Sequence, residues 1–204
     1  LRFNATRTMR TAQALYEGVN LGSEAIGLIT YMRTDSVTLS NDALTEIRKY
    51  ISEHQGSEYL PKSPRLYKSS SKNAQEAHEA IRPTSVYRTP ESVKAYLTSD
   101  QYRLYELIWK RAVASQMASA IMNTTAVDLG VEGEYLFRVN GSTIAFPGFM
   151  SLYLEDSDDE NSKEEDRILP DMEKGELIAL NDLLSNQHFT EPPPRYTEAS
   201  LVKT

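Results

Sequence analysis

Apolar residues recur every three or four positions through most of the first 118 residues, and this spacing is typical of amphipathic helices. Residues that favour helix N-termini precede three of the apolar runs: Ser40, Thr89 before a proline, and Thr98 with Gln101 at capping-box spacing. A segment rich in Ser, Lys and Pro at 57–73 is predicted to be a loop. We predict helices at about 8–16, 41–54, 74–81, 90–97 and 98–119.

The last of these helices carries an apolar stripe that contains the single tryptophan of the chain. Such a stripe is more often a core-facing surface than a platform on which nucleic-acid bases stack. We therefore expect it to pack in the core; it consists of Leu104, Tyr105, Ile108, Trp109, Ala112, Val113 and Met117.

After residue 120 the polar and apolar residues alternate with a period of two, which is typical of half-buried strands. Asn140-Gly141 is a strong signal for a two-residue hairpin turn. The expected fold class is an α+β multi-domain fragment, in which a helical domain is followed by an antiparallel β domain, with the boundary near 118–122. We predict strands at about 124–130, 135–139, 143–146, 150–154 and 176–180.

Composition narrows the class of protein. The chain has 204 residues, 40% of them hydrophobic, which is enough to form a packed core. No apolar run approaches the roughly 20 residues of a membrane helix, and no secretory or transit signal opens the chain. The lack of cysteine excludes disulfides and thiolate metal sites and fits a reducing compartment.

The net charge of −7 comes from one segment of the chain. Residues 155–166 hold eight acidic residues and one basic residue. Residues 1–118, in contrast, hold 16 Lys and Arg against 12 Asp and Glu. This mildly basic part of the chain is therefore compatible with binding phosphate groups.

The candidate chemistry lies at 27–36, where an apolar run leads to Tyr31, Arg33 and a polar Thr-Asp-Ser turn. Free tyrosine has a pKa of about 10 and is a poor nucleophile at neutral pH. A guanidinium stabilises a phenolate and the negative charge that develops on phosphorus during phosphodiester cleavage. In an extended segment residues i and i+2 share a face, so Tyr31 and Arg33 are expected to point the same way. The spacing is equally typical of a half-buried phenol beside a solvated arginine.

Three blocks of the sequence resemble type IA DNA topoisomerases, and they occur in that family's order. Tyr31-Met-Arg-Thr-Asp-Ser36 is similar to the family's active-site block. Asn73-Ala-Gln-Glu-Ala-His-Glu-Ala-Ile-Arg-Pro-Thr84 resembles a second block, and the segments between Gln187 and Lys203 resemble a third. Met32 resembles the bacterial topoisomerase I branch, since the topoisomerase III branch usually has proline there.

The resemblance implies a reaction. Tyr31 would attack a phosphodiester of single-stranded DNA, become joined to the 5′ phosphate and leave a free 3′ hydroxyl. Another strand would pass through the gap before the 3′ hydroxyl reverses the attack, so that negatively supercoiled DNA is relaxed without ATP. Arg33 would stabilise the transition state, and Asp35 would orient Arg33 or the turn.

Further residues in the similar blocks are expected to support this site. His78 is expected to contact the DNA backbone or the active site, the alternative being a solvated surface histidine. Arg82 is expected to contact a phosphate or to pair with a neighbouring glutamate. Ser200 and Lys203 are expected to contribute to nucleotide binding at the base of the protein.

The resemblance also divides the chain into parts of a toroidal body. Residues 1–118 would form most of the tyrosine domain, 119–186 part of a β-rich hinge or gate domain with an acidic flexible linker at 155–166, and 187–204 the truncated start of the base domain. The chain begins at Leu1 and stops a few residues after a helix cap, so we expect a central fragment of a longer enzyme.

The family's Mg²⁺ is bound by acidic residues of a Toprim domain, which we expect to lie outside this chain. An Asp-x-Asp-x-Glu pattern occurs at 156–160, but no apolar strand precedes it, so we interpret it as linker and expect no metal site in this fragment. The expected partners are single-stranded or negatively supercoiled DNA and the Toprim and base domains of the same parent chain, with no membrane. The fragment alone is expected to be inactive, and the parent to be cytoplasmic and associated with the nucleoid.

Three alternatives remain open at this stage. One is a decatenase similar to topoisomerase III. Another is a non-catalytic DNA-binding or hinge module in which Tyr31 is buried. The third is a tyrosine recombinase, in which tyrosine becomes joined to the 3′ phosphate instead.

Overall fold

The computed structural model describes residues 1, 3–22, 24–67, 79–131, 135–153, 172–187, 189–190, 192, 195–196 and 201. The chain divides into two compact units, the first comprising Leu1–Ile121 and Ile144–Ser157 and the second Met122–Thr143 and Asp158–Thr204. Helices combine with antiparallel sheets, which confirms the predicted α+β class. The assignment of residues to tyrosine, hinge and base domains stays a prediction.

Four α-helices form among the described residues of the first unit, where the sequence carries capping residues. They are α1, Ala5–Glu17; α2, Asn41–His54; α3, Pro90–Val93; and α4, Ser99–Ser115. The Ser40 side chain accepts the Ala43 amide, and Thr98 and Gln101 form a reciprocal capping box. These contacts supply partners to N–H groups that have none inside a helix, which confirms the predicted starts of α2 and α4.

Short elements connect the helices of the first unit. The strand β1, Val19–Asn20, pairs antiparallel with β2, Ala25–Ile26, immediately after α1. Residues 60–67 have no regular structure, in agreement with the predicted loop, whereas 68–73 lie outside the described residues. Single 3-10 turns lie at Ser57–Tyr59, Lys94–Tyr96 and Gly148–Ser151.

The core of the first unit is one cluster of buried side chains. Leu15 of α1, Ile51 of α2 and Tyr105 of α4 have 0% exposed surface. The predicted stripe, which lies on α4 except for Met117 just after it, is buried apart from Ile108, which is partly buried and packs against the cluster. The Trp109 indole donates to the Val86 carbonyl at 2.9 Å, so its polar atom is satisfied inside the core. The core-packing interpretation of Trp109 is confirmed.

The predicted C-terminus of the longest helix is wrong. α4 ends at Ser115 rather than near residue 119, because the backbone after it bonds to another segment: the Ala118 amide donates to the Tyr59 carbonyl at 2.7 Å instead of to a carbonyl of α4. The Gln116 side chain holds a neighbouring segment, since its amide nitrogen donates to the Arg65 carbonyl at 3.0 Å and its oxygen accepts the Arg65 amide at 3.1 Å.

The helix predicted at 74–81 is also wrong for residues 79–81, which are not helical. The Ala80 amide donates to the Thr38 carbonyl at 2.8 Å, so this backbone pairs with another segment rather than with itself. Residues 74–78 lie outside the described residues.

A two-stranded hairpin follows α4. The strands are β3, Ile121–Val131, and β4, Tyr135–Phe146, and their three-residue connection is too short for parallel pairing. The predicted turn at Asn140-Gly141 is wrong, because both residues lie inside β4. Strands of 11 and 12 residues form more ladder hydrogen bonds than a turn at Asn140 would allow, and this outweighs the local turn preference.

Two further predicted strands are absent from the described residues. The strand predicted at 150–154 is replaced at its start by the end of the 3-10 turn Gly148–Ser151, which follows Pro147. Gly148, the first residue of this turn, has a φ of +49°. A side chain at Gly148 would lie 2.6 Å from the Ala118 carbonyl, so the turn packs closely against the residues after α4. Residues 176–180 have no ladder partner in the described part of the chain, and an unpaired strand is not stable.

Most described side chains of the second unit are exposed. The neighbours Tyr135 and Leu136 are 70% and 66% exposed, so large apolar side chains are solvated on both faces of β4. The Arg138 guanidinium bonds to Asp128 at 2.7 and 2.9 Å and lowers the pKa of that carboxyl. Among the described residues of either unit, no helix is long and apolar enough to cross a membrane.

Candidate active site

Backbone hydrogen bonds hold both sides of the segment that leads to Tyr31. We call residues 27–30 the tyrosine link and residues 80–84 the facing segment. The Leu28 amide donates to the Leu15 carbonyl in α1 at 2.8 Å, and the Leu28 carbonyl accepts the Thr84 amide at 2.9 Å. Leu28 is also fully buried, at 0% exposure. The extended link predicted from the apolar run is therefore confirmed here, and it lies between α1 and the facing segment.

Thr30 joins the tyrosine link to the facing segment through its backbone and its side chain. Its amide donates to the Arg82 carbonyl at 2.9 Å, and its hydroxyl accepts the Arg82 amide at 2.9 Å. The same hydroxyl donates to the Ala80 carbonyl at 2.7 Å. These bonds fix the backbone position immediately before Tyr31.

Gly27 allows the tyrosine link to lie close to the end of α1. A Cβ at this position would lie 2.6 Å from the Tyr16 carbonyl oxygen, well inside van der Waals contact. The Gly27 carbonyl in turn accepts the Thr84 hydroxyl at 2.7 Å. A side chain at position 27 would therefore push the link away from α1.

Tyr31 is exposed directly after this fixed link. Its side chain is 46% exposed, Met32 is buried at 6%, and Arg33 is again exposed. Tyr31 and Arg33 are therefore both exposed on either side of a buried residue, while the backbone bends at Met32 and Arg33; that the two side chains point the same way stays a prediction. This arrangement is not the buried phenol that a non-catalytic module would carry.

The polar ends of Tyr31 and Arg33 are available to a ligand. Within the described part of the chain, neither the Tyr31 hydroxyl nor the Arg33 guanidinium has a hydrogen-bond or ion-pair partner. The Tyr31 ring meets the Tyr16 ring edge-on, with centroids 5.4 Å apart and planes at 66°. An exposed phenol beside an uncommitted guanidinium is able to approach a phosphodiester and stabilise charge on it.

The turn after Arg33 is organised by short-range side-chain bonds. The Ser36 amide donates to the Thr34 hydroxyl at 3.0 Å, and the Thr38 amide donates to the Ser36 hydroxyl at 3.1 Å. Hydroxyl side chains of this kind replace backbone partners in turns. Asp35 lies in this turn with an exposed side chain.

Arg82 forms an ion pair with Glu79, which was one of its two predicted roles. The guanidinium bonds to the Glu79 carboxylate at 2.7 and 3.1 Å and also donates to the Pro83 carbonyl at 2.8 Å. The Glu79 carboxylate accepts the Ser40 amide at 2.9 Å, which joins the pair to the N-terminus of α2. Burial alone would raise the pKa of Glu79, but hydrogen bonds from Arg82 and Ser40 outweigh it and the pKa is lowered.

Several predicted site residues lie outside the described residues. These are His78, Ser200 and Lys203, together with the acidic pattern at 156–160. Among the residues that are described, no group of three or more His, Cys, Asp or Glu side chains could hold a metal ion.

Sequence reasoning missed three residues that shape this site: Tyr16, Thr30 and Glu79. Thr30 could have been noticed as a polar residue inside an apolar run, because such a residue needs partners when the run is buried. The contacts of Tyr16 and Glu79 join segments that are 15 and 39 residues apart, and no local pattern signals them.

Comparisons with known proteins agree with this architecture. A sequence model of the DNA topoisomerase family matches residues 1–204. The DNA topoisomerase 1 of Rickettsia felis is 58% identical over 204 residues, covering 100% of this chain and 26% of the relative. The DNA topoisomerase 1 of Xylella fastidiosa strain 9a5c is 56% identical over 206 residues, covering 100% of this chain and 25% of the relative. The chain thus spans about a quarter of the length of these curated relatives.

A solved structure is also similar to the chain. Full-length topoisomerase I from Thermotoga maritima aligns with a TM-score of 0.65 and 41% identity, covering 77% of this chain and 25% of that structure. The expected relationship to type IA topoisomerases is confirmed by the family match, the relatives and this structure together. The chain belongs to the DNA topoisomerase family, in its bacterial type IA topoisomerase I branch.

Proposed function

We propose that Tyr31 is the nucleophile with which the complete protein cleaves and rejoins one strand of DNA. The observation that carries this proposal is an exposed phenol placed directly after a hydrogen-bonded backbone link. Such a support fixes the backbone from which the nucleophile projects before the substrate binds. Membership of the DNA topoisomerase family supports DNA as the substrate.

In the proposed reaction the Tyr31 oxygen forms a bond to phosphorus while the bond from phosphorus to the 3′ oxygen breaks. The phenol loses its proton and the departing 3′ oxygen gains one, which yields a 5′ phosphotyrosine and a free 3′ hydroxyl. The hydroxyl later attacks the phosphotyrosine and releases the tyrosine. Because the phosphodiester energy is kept in the phosphotyrosine, the cycle needs no ATP, and strand passage between the two steps relaxes negatively supercoiled DNA.

We assign Arg33 to stabilising the negative charge that develops on the phosphate in the transition state. It is exposed beside Tyr31 and has no partner among the described residues, so no ion pair must be broken before it binds a phosphate. Asp35 is assigned to orienting the turn, because an ionised carboxylate next to the scissile phosphate would repel it.

The second and third blocks are proposed to support DNA binding. His78, Ser200 and Lys203 lie outside the described residues, and their roles stay predictions. A phosphate at Arg82 would have to compete with Glu79 for a guanidinium whose side chain is only 14% exposed. We therefore assign Arg82 first to holding the tyrosine link, and its contact with DNA stays a prediction.

The rest of the complete protein is proposed to supply the Mg²⁺ site and the remainder of the domains that this chain contains in part. We assign residues 1–118 to the tyrosine domain, 119–186 to a hinge domain and 187–204 to the start of a base domain. We assign Mg²⁺, as the resemblance to type IA topoisomerases implies, to the acidic residues of a Toprim domain elsewhere in the protein, and we derive no step through it. This chain alone is proposed to be inactive, and the complete enzyme to act on DNA in the cytoplasm.

The test uses the complete protein with end-labelled single-stranded DNA and magnesium, resolved on a denaturing gel. We expect a covalent adduct with the wild type and none with Tyr31→Phe, while the control Tyr96→Phe retains it. An adduct that persists in Tyr31→Phe would refute the nucleophile assignment. Labelling one DNA end at a time separates the expected 5′ linkage from the 3′ linkage of a recombinase.

A further inference from the structure

A second exposed tyrosine contacts the candidate nucleophile. Tyr16 lies in the last turn of α1, and its ring centroid is 5.4 Å from that of Tyr31 with the planes at 66°, an edge-to-face arrangement. The two side chains are 40% and 46% exposed. We infer that Tyr16 is a positioning residue that sets the orientation of the Tyr31 phenol for attack on DNA.

The backbone keeps the two tyrosines together. The Leu28 amide donates to the Leu15 carbonyl at 2.8 Å, so the tyrosine link is bonded to the residue before Tyr16. Gly27 lies so close to the Tyr16 backbone that a Cβ there would be 2.6 Å from the carbonyl oxygen. The Tyr16 side chain therefore starts from a fixed position relative to the link that carries Tyr31.

The ring contact with Tyr16 restrains the orientation of the Tyr31 side chain. Backbone hydrogen bonds determine where the Tyr31 side chain begins, but they leave its staggered rotamers open. In the described part of the chain, the Tyr31 hydroxyl forms no hydrogen bond, and Tyr16 provides its one ring contact. The edge of one ring against the face of the other favours the rotamer that keeps this contact.

This inference rests on the proposed role of Tyr31 and adds a residue that acts through it. Removing the Tyr16 ring should lower the rate of cleavage, since fewer bound complexes hold the phenol in line with the phosphate. The energy of an aromatic edge pair corresponds to a loss of about 2- to 10-fold in rate. DNA affinity should not change, because the contact lies within the protein.

The experiment compares Tyr16→Leu and Tyr16→Phe in the complete protein. Single-turnover cleavage of end-labelled single-stranded DNA is measured with protein in excess and magnesium present. Affinity for the same DNA is measured with each variant combined with Tyr31→Phe, so that binding is separated from chemistry. Tyr96→Leu is the matched control, because Tyr96 is a similarly exposed tyrosine, at 48%, without a ring contact to Tyr31.

We expect slower cleavage with unchanged affinity for Tyr16→Leu, and near wild-type cleavage for Tyr16→Phe, which keeps the ring. Cleavage by Tyr16→Leu at the wild-type rate would overturn the inference, as would a loss of affinity that accounts for the whole effect. If leucine lowers the melting temperature, Tyr16→Ala provides the same comparison. An adduct in Tyr31→Phe refutes the proposed function, whereas an unaffected Tyr16→Leu refutes only the positioning role.

Discussion

Thr30 and Arg82 are joined by two reciprocal hydrogen bonds, each 2.9 Å long, between residues that lie 52 positions apart in the chain. One bond runs from the Thr30 amide to the Arg82 carbonyl, and the other from the Arg82 amide to the Thr30 hydroxyl. The pair connects the residue before Tyr31 with the second of the family-like blocks. Changes in the facing segment should therefore reach Tyr31 through the backbone.

Replacing the Thr30 hydroxyl should loosen this connection. Thr30→Val keeps the shape of the side chain but leaves the Arg82 amide and the Ala80 carbonyl without their partner. We expect the free energy of unfolding to fall by about 1–3 kcal/mol, and DNA cleavage to slow. Thermal unfolding and single-turnover cleavage measure the two effects. Thr30→Ser retains the hydroxyl and is the control; equal losses in both variants would contradict the prediction.

The Glu79–Arg82 ion pair should make stability depend on pH in the acidic range. Because the pKa of Glu79 is lowered in the folded protein, the pair stabilises fully above the ordinary carboxyl pKa of about 4.3. This contribution is lost as the pH falls through the lowered value. Glu79→Gln should therefore lower the free energy of unfolding at pH 7 by about 1 kcal/mol, which a fall in the melting temperature reports. The difference from the wild type should shrink below about pH 4.

The matched control for this pH series is Glu24→Gln, which changes an exposed glutamate whose side chain has no ion pair among the described residues. Its difference from the wild type should be small and should not change with pH. A Glu79→Gln difference that stays constant down to pH 3 would show that the ion pair does not contribute.

Gly27 should not tolerate a side chain. Gly27→Ala puts a Cβ 2.6 Å from the Tyr16 carbonyl oxygen, so either α1 or the tyrosine link must move. We expect a loss of about 1–3 kcal/mol in the free energy of unfolding, measured by denaturant titration. Gly130→Ala is the control, because a Cβ there meets nothing within 4 Å. Similar stability of the two variants would show that the close approach is not required.

Arg33 should matter for chemistry and not for stability. Its side chain is exposed and has no partner among the described residues, so Arg33→Ala should change the free energy of unfolding by less than about 0.5 kcal/mol. Loss of a group that stabilises transition-state charge should lower the cleavage rate by about 100-fold or more. Arg33→Lys keeps the charge and should retain part of the rate. Wild-type cleavage by Arg33→Ala would exclude the assigned role.

Local signals in the sequence predicted much of the first unit. Ser40 and Thr98 begin helices because a capping side chain bonds to an amide three residues ahead, a contact that short-range spacing reveals. The stripe around Trp109 was identified by the same logic, since helical periodicity determines which side chains share a face. The exposure of Tyr31 and Arg33 on either side of buried Met32 also agrees with the pattern predicted from the sequence, although the backbone bends there.

Contacts between distant segments decided the rest. The predicted Asn140-Gly141 turn was wrong because both residues lie inside β4, which pairs with β3, and this pairing outweighs a local preference. The end of α4 depends on Tyr59, whose carbonyl accepts the Ala118 amide, and the partner of Arg82 is a carboxylate that also accepts the Ser40 amide at the start of α2. The helix starts, the core-facing stripe and the fold class could be predicted from the chain alone, because capping and periodicity involve residues within about one helical turn of each other. Tyr31 stood out through three family-like blocks rather than through its own spacing. The surroundings of the candidate nucleophile appear only in the folded chain, because the contacts of Tyr16, Thr30 and Glu79 join segments that lie 15 to 52 residues apart.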